Sequence, residues 1–131
     1  MAAKLIHSMI RVVDLERAQR FYTQGFGLSE SHRMDFPTFT LLYLRDPRSG
    51  YELELTLNKG HSEPYTHGSG YGHIAFAVED LAQHHQHLKS LGYTVGDIKE
   101  LKAPTGAARF FFTTDPDGYK VEVIERGGHY V

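Results

Sequence analysis

The chain contains no cysteine. Disulfides, thiolate metal ligands and a cysteine nucleophile are therefore excluded, and a reducing compartment is the natural expectation. Charge of one sign is also missing: 14 Lys and Arg stand against 16 Asp and Glu, a formal net charge of −2. No basic stripe offers itself to a phosphate backbone, so no nucleic-acid partner is expected. The opening segment, Met1 to Asp14, lacks the long apolar core of a signal peptide. No apolar run approaches membrane-spanning length either. The expectation is a soluble, cytoplasmic chain with no membrane partner. Its 131 residues are 40% hydrophobic and 23% charged, which is enough to build a core at this size without covalent staples.

What the chain does have is histidine, nine in all. Histidine is a common metal ligand and a common acid or base, so the positions matter more than the number. They fall on a plan that runs twice. In the first half, Leu5–Val13 predicts a strand and Asp14 a helix N-cap. Leu15, Ala18, Phe21 and Tyr22 then recur at helical spacing up to a stop near Gly25 or Gly27. Phe39–Leu44 and Tyr51–Leu57 predict strands on either side of the turn Asp46-Pro47-Arg48-Ser49-Gly50. In the second half, Tyr71–Val78 predicts a strand and Asp80 the N-cap. Leu81, Leu88 and Leu91 form a stripe ending at Gly92, and Phe110–Thr113 and Lys120–Ile124 predict strands around Asp115-Pro116-Asp117-Gly118. Each half reads as strand, helix, then two or three strands. The expectation is one domain, 1–131, made of two modules, about 1–58 and 71–131, joined by loop 59–70.

Histidine and glutamate mark equivalent points in the two halves. His7 and His73 lie on the first strands, and Glu54 and Glu122 on the last. Side chains alternate across a strand. Glu52, Glu54, Thr56 and Asn58 therefore share one face, and Leu53, Leu55 and Leu57 share the other. The leucine face should pack on the helix, which leaves the glutamate face to meet something polar. Each half thus offers one imidazole and one carboxylate from the side away from its helix. Two His and two Glu suit a divalent zinc, nickel, cobalt or manganese ion with room for water, and such a metal acts as a Lewis acid on substrate oxygens.

These residues carry a resemblance over almost the whole chain. Leu5-Ile6-His7-Ser8-Met9-Ile10-Arg11-Val12, Phe21-Tyr22, Leu53-Glu54-Leu55-Thr56-Leu57-Asn58, Tyr71-Gly72-His73-Ile74-Ala75 and Asp115-Pro116-Asp117-Gly118-Tyr119-Lys120-Val121-Glu122 resemble glyoxalase I of the vicinal-oxygen-chelate superfamily. The Glu-Leu-Thr-x-Asn segment and the Gly-Tyr-Gly-His run are the more specific signals. The resemblance implies an α+β fold of paired βαβββ modules whose curved mixed sheets enclose a metal. His7, Glu54, His73 and Glu122 match the metal ligands one for one. It further implies a homodimer in which each site takes one His–Glu pair from each chain. The chain is similar to the short bacterial class, which prefers Ni²⁺ or Co²⁺ over Zn²⁺.

The activity implied is that of a lactoylglutathione lyase, which detoxifies methylglyoxal by isomerising its glutathione hemithioacetal to S-lactoylglutathione. Glu122 matches the main base, with Glu54 serving the opposite face of the substrate. Arg11 and Asn58 match residues that hold the γ-glutamyl end of glutathione. For the glycyl carboxylate the counterparts are Lys102 or Arg109, in a segment, Lys102–Arg109, that reads as a loop. Two alternatives stand beside this activity: a methylmalonyl-CoA-epimerase-like enzyme of the same superfamily, and a metal-free drug-binding protein. Complete ligands disfavour the latter. His84, His85 and His87 read as a solvated helix face, His61 and His67 as residues of the middle loop, and Tyr65 as a residue that lines the thiol pocket or simply packs.

Overall fold

Asp14 turns the chain out of a strand and into a helix. Its extended backbone lets the side chain accept the Arg17 N–H at 3.0 Å, which caps α1, Leu15–Phe26. Gly27, at φ +75°, ends the helix by sending its N–H to the Thr23 carbonyl. Ala18, Phe21, Tyr22 and Gly25 form the buried stripe of α1. Before it lies β1, His7–Val12, and after it come β2, Ser29–Asp35, β3, Phe39–Arg45, and β4, Glu52–Asn58. The sheet order is β1-β4-β3-β2, with β1 parallel to β4 and the other pairs antiparallel.

The computed structural model describes residues 1–131 and resolves them into two compact units, Met1–Thr66 and His67–Val131. The second unit repeats the plan with β5, Ile74–Val78, α2, Leu81–Ser90, β6, Lys99–Ala103, β7, Gly106–Thr114, and β8, Lys120–Glu125. Asp80 caps α2 through the Gln83 N–H at 2.9 Å. Sheet order is β5-β8-β7-β6, again with the first pair parallel. The fold is α+β, two βαβββ modules each with a four-stranded mixed sheet, as the resemblance implied.

Each sheet has one dry face. Leu42, Leu44 and Leu55 are fully buried with Phe21 and Tyr22 of α1, and Phe111, Val121 and Val123 are fully buried in the second unit with Leu81 and Leu88 of α2. Burying one such side chain contributes about 1.5–3 kcal/mol, and a shift of one residue in register would turn every one of them outward. The leucines therefore settle which way Glu54 points, and the valines settle it for Glu122.

The sequence reading misses two strands, β2 and β6, whose residues are all exposed. Both are edge strands with a single neighbour, and their sequences, SESHRMD and KELKA, carry no alternation of apolar and polar residues. The segment read as a loop, Lys102–Arg109, is instead a β-hairpin, with Ala103 opposite Gly106 and Glu100 opposite Arg109. Leu5 and Ile6 fall outside β1, and Tyr71 to His73 precede β5.

Candidate metal centre

In the first unit β1 runs parallel to β4, with His7 opposite Glu52 and Met9 opposite Glu54. His7 and Glu54 thus share a face two residues out of step, and His7 Nε2 lies 3.2 Å from Glu54 Oε1. Glu54 is only 8% exposed. A carboxylate so buried must be satisfied. Thr56 Oγ1 donates to Glu54 Oε2 at 3.0 Å. The Tyr43 hydroxyl, directly across from Glu54 on β3, donates to the same carboxylate. Burial, and then the neighbouring Glu54 carboxylate, push the Tyr43 phenol above its ordinary value. Its ring stands edge-on to His7, centroids 5.6 Å apart.

The second unit repeats the arrangement. Ala75 of β5 lies opposite Glu122 of β8, so His73 stands two residues out of step, as His7 does. His73 Nε2 is 3.6 Å from Glu122 Oε1. Phe112 takes the place of Tyr43, opposite Glu122 and edge-on to His73 at 5.4 Å. At 3.6 Å imidazole and carboxylate do not hydrogen-bond each other, so both atoms stay open to a third partner.

The Asp-Pro turns set the phase of the glutamate strands. Buried Asp115 accepts the N–H groups of Asp117 and Tyr119, both at 2.9 Å, and Gly118 takes φ +87°. Tyr119 is thereby fixed one residue before β8, and Glu122 follows. Asp46 does the same work before β4, accepting the Arg48 N–H at 3.0 Å and the Ser49 hydroxyl at 2.8 Å.

Beside His73 the second unit has a cavity of about 380 Å³ lined by His67, Tyr71, Phe112 and Lys120. His67 stacks flat on Tyr119, centroids 4.1 Å apart, and its Nε2 is buried with no partner from the protein. The Tyr71 hydroxyl donates to the Lys120 carbonyl at 3.1 Å. Burial first, then the charge of Asp115, push its phenol up to about 12.

Of the other residues singled out in the sequence, Arg11 and Asn58 stand on the Glu54 face. Arg11 lies opposite Thr56, and Asn58 Nδ2 donates to the Tyr65 hydroxyl at 3.1 Å. Arg109 and Lys102 alternate onto the side of their sheet away from Glu122. Arg109 Nη1 is 2.8 Å from Glu125 Oε2, and Lys102 Nζ is 3.3 Å from Glu100. The basic hairpin residue on the Glu122 side is Lys99, opposite Phe110. Helix α2 holds His85 against Phe111, with its Nε2 2.9 Å from the Gly96 carbonyl. Sequence reasoning missed Tyr43. Strand alternation places Thr56 beside Glu54, but only the pairing of β3 with β4 brings Tyr43 there.

A family model described as the Glyoxalase/Bleomycin resistance protein/Dioxygenase superfamily matches residues 4–123. The lactoylglutathione lyase of Haemophilus influenzae is 36% identical over 128 residues, which cover 93% of this chain and 92% of that one. The chain belongs to the glyoxalase I family. Among solved structures of glyoxalase I, the trypanothione-dependent enzyme of Leishmania major superposes with a TM-score of 0.77 at 33% identity, over 95% of this chain and 87% of that one. The Zea mays enzyme gives 0.82 at 32% identity, over 95% of this chain but 45% of the maize chain.

Membership of the glyoxalase I family implies a divalent metal. The donor atoms fit one. Ligands about 2.1 Å from a metal and at right angles to each other lie about 3.0 Å apart, and about 3.4 Å at the tetrahedral angle. The His–Glu separations of 3.2 and 3.6 Å suit adjacent positions on one ion. Neither unit alone gathers three such side chains.

Proposed function

We propose that this chain is a metal-dependent glyoxalase I that converts the hemithioacetal of methylglyoxal and glutathione into S-lactoylglutathione. The observation that carries the reading is the repeated His–Glu pair, one per unit, in a chain that matches a lactoylglutathione lyase over 93% of its length. His7, Glu54, His73 and Glu122 are the residues that would hold the metal. When bound, a divalent metal supplies Lewis acidity that lowers the cost of removing the carbon-bound proton. Glu122 takes that proton from the sulfur-bearing carbon and returns it to the neighbouring carbon. The hydroxyl proton moves to the former ketone oxygen, so the reaction is a balanced isomerisation with no oxidant. Glu54 stays in place as a ligand on the other side.

Arg11 and Asn58 grip the γ-glutamyl end, Arg11 by two parallel hydrogen bonds to the carboxylate. Neither Lys102 nor Arg109 is well placed for the glycyl carboxylate, because both lie on the side of their sheet away from Glu122 and pair with Glu100 and Glu125. We also propose a cytoplasmic homodimer in which each site takes one His–Glu pair from each of two chains, supported by the presence of two donors per unit. The imidazole and carboxylate donors are of the kind that divalent nickel and cobalt accept, and nickel or cobalt in preference to zinc is proposed on the likeness to the short bacterial class. No helix of the chain is long and apolar enough to cross a membrane.

The test is an assay of metal-stripped protein with nickel, cobalt or zinc added back. Glutathione and trypanothione hemithioacetals are compared as substrates, since a relative of 33% identity is described as trypanothione-dependent. Thioester should form from the glutathione adduct. No thioester from either adduct with any metal would overturn the reading.

A further inference from the structure

Glu54 and Glu122 occupy equivalent points of one repeated plan, yet their surroundings differ in kind. Glu54 has His7 at one oxygen and the Thr56 hydroxyl at the other, with the Tyr43 hydroxyl as a further donor. Glu122 has His73 at 3.6 Å and no hydroxyl. The position across the sheet from Glu122, held by Tyr43 in the first unit, is Phe112. The position two residues on, held by Thr56 in the first unit, is Ile124. The β-sheet registers are the same, so the difference lies in side-chain chemistry alone.

We propose that Tyr43 and Thr56 are positioning residues that clamp Glu54 as a fixed carboxylate donor and so leave proton transfer to Glu122. A carboxylate held by two hydroxyls at a buried site must break hydrogen bonds to turn, and those bonds are costly to leave unmade there. Glu122 lies against Phe112 and Ile124 and gives up no hydrogen bond when it turns toward a substrate carbon. Hydrogen bonds behind a metal-ligating carboxylate also orient it, so their loss weakens metal binding as well. The clamp accounts for why two glutamates with matching backbone positions take unequal parts, and it rests on the reading of Glu122 as the base.

The test uses the full chain with Tyr43→Phe and Thr56→Val together, which gives Glu54 the kind of surroundings that Glu122 has. The metal dissociation constant, measured by chelator competition without substrate, should rise by about 10-fold or more. Thr56→Ser, which keeps a hydroxyl, should stay close to the parent. In a Glu122→Gln background, the same pair should recover at least about tenfold of the ~10²–10⁴-fold loss of turnover at saturating metal, with KM unchanged, because the freed Glu54 can now reach the proton. A role in folding alone would not raise turnover. Should the double variant not fold, Tyr43→Phe alone carries both measurements. Unchanged metal affinity, or no gain over Glu122→Gln, overturns the clamp. A Glu122→Gln enzyme as active as the parent overturns the base assignment instead, and the metal-affinity readout still decides the clamp.

Discussion

In the proposed reaction Glu122 carries the heaviest demand placed on any single side chain, because there it both ligates and moves a proton. Glu122→Gln keeps an oxygen for ligation but removes the acceptor. Turnover at saturating metal should fall by about 10²–10⁴ while bound metal, measured on the protein, is largely kept. Glu54→Gln should weaken metal binding yet cost less turnover once metal is saturating. Comparing the two variants separates ligation from chemistry. On the proposed reading Arg11→Ala removes a charge-assisted grip on the substrate's γ-glutamyl carboxylate. Such contacts contribute about 1.5–3 kcal/mol, so KM for the glutathione adduct should rise by about 10- to 100-fold. Unchanged KM would remove Arg11 from the thiol site.

Among the elements, the two Asp-Pro turns matter more than their length suggests. Asp115 is 4% exposed, and its Oδ1 accepts two backbone N–H groups. Asp115→Ala removes the side-chain acceptor of both N–H groups and should destabilise the fold by about 1–3 kcal/mol per lost hydrogen bond, read as a lower urea midpoint. Activity should fall further than stability alone accounts for, because the same turn sets where β8 begins and hence where Glu122 sits. An exposed control such as Lys99→Ala should leave the midpoint unchanged. The edge strands β2 and β6 lack this leverage: each has one hydrogen-bonding neighbour and no buried side chain.

For the whole molecule the expectations concern metal and assembly. Chelation should abolish turnover, and nickel or cobalt should restore more of it than zinc does; equal or higher turnover with zinc would reverse the preference. Each unit offers only two clear metal donors, one His and one Glu, whereas structural and catalytic metal sites generally use three or four protein ligands. In the proposed homodimer the two chains together supply the four donors. Sedimentation should find a dimer under assay conditions, and a fully active monomer would defeat that arrangement.

Much of this was legible in the sequence, because local rules are strong where it mattered. The caps Asp14 and Asp80, the glycines after the helices and the alternating leucines around Glu54 each act within a few residues, and they give helices, strands and the outward face of the glutamates. Pattern and resemblance together singled out His7, Glu54, His73 and Glu122 as candidate ligands, and the structure brings His7 to Glu54 and His73 to Glu122 within each unit. The sequence could not show the polar edge strands, whose hydrogen bonds come from a neighbour rather than from their own pattern, nor the hairpin within Lys102–Arg109. Nor could it show the unequal setting of the two glutamates. Tyr43 lies eleven residues before Glu54 in the chain and meets it only because β3 and β4 pair in one register. Strand pairing is a long-range choice made by the buried leucines, so only the tertiary structure decides which side chain stands across from a carboxylate.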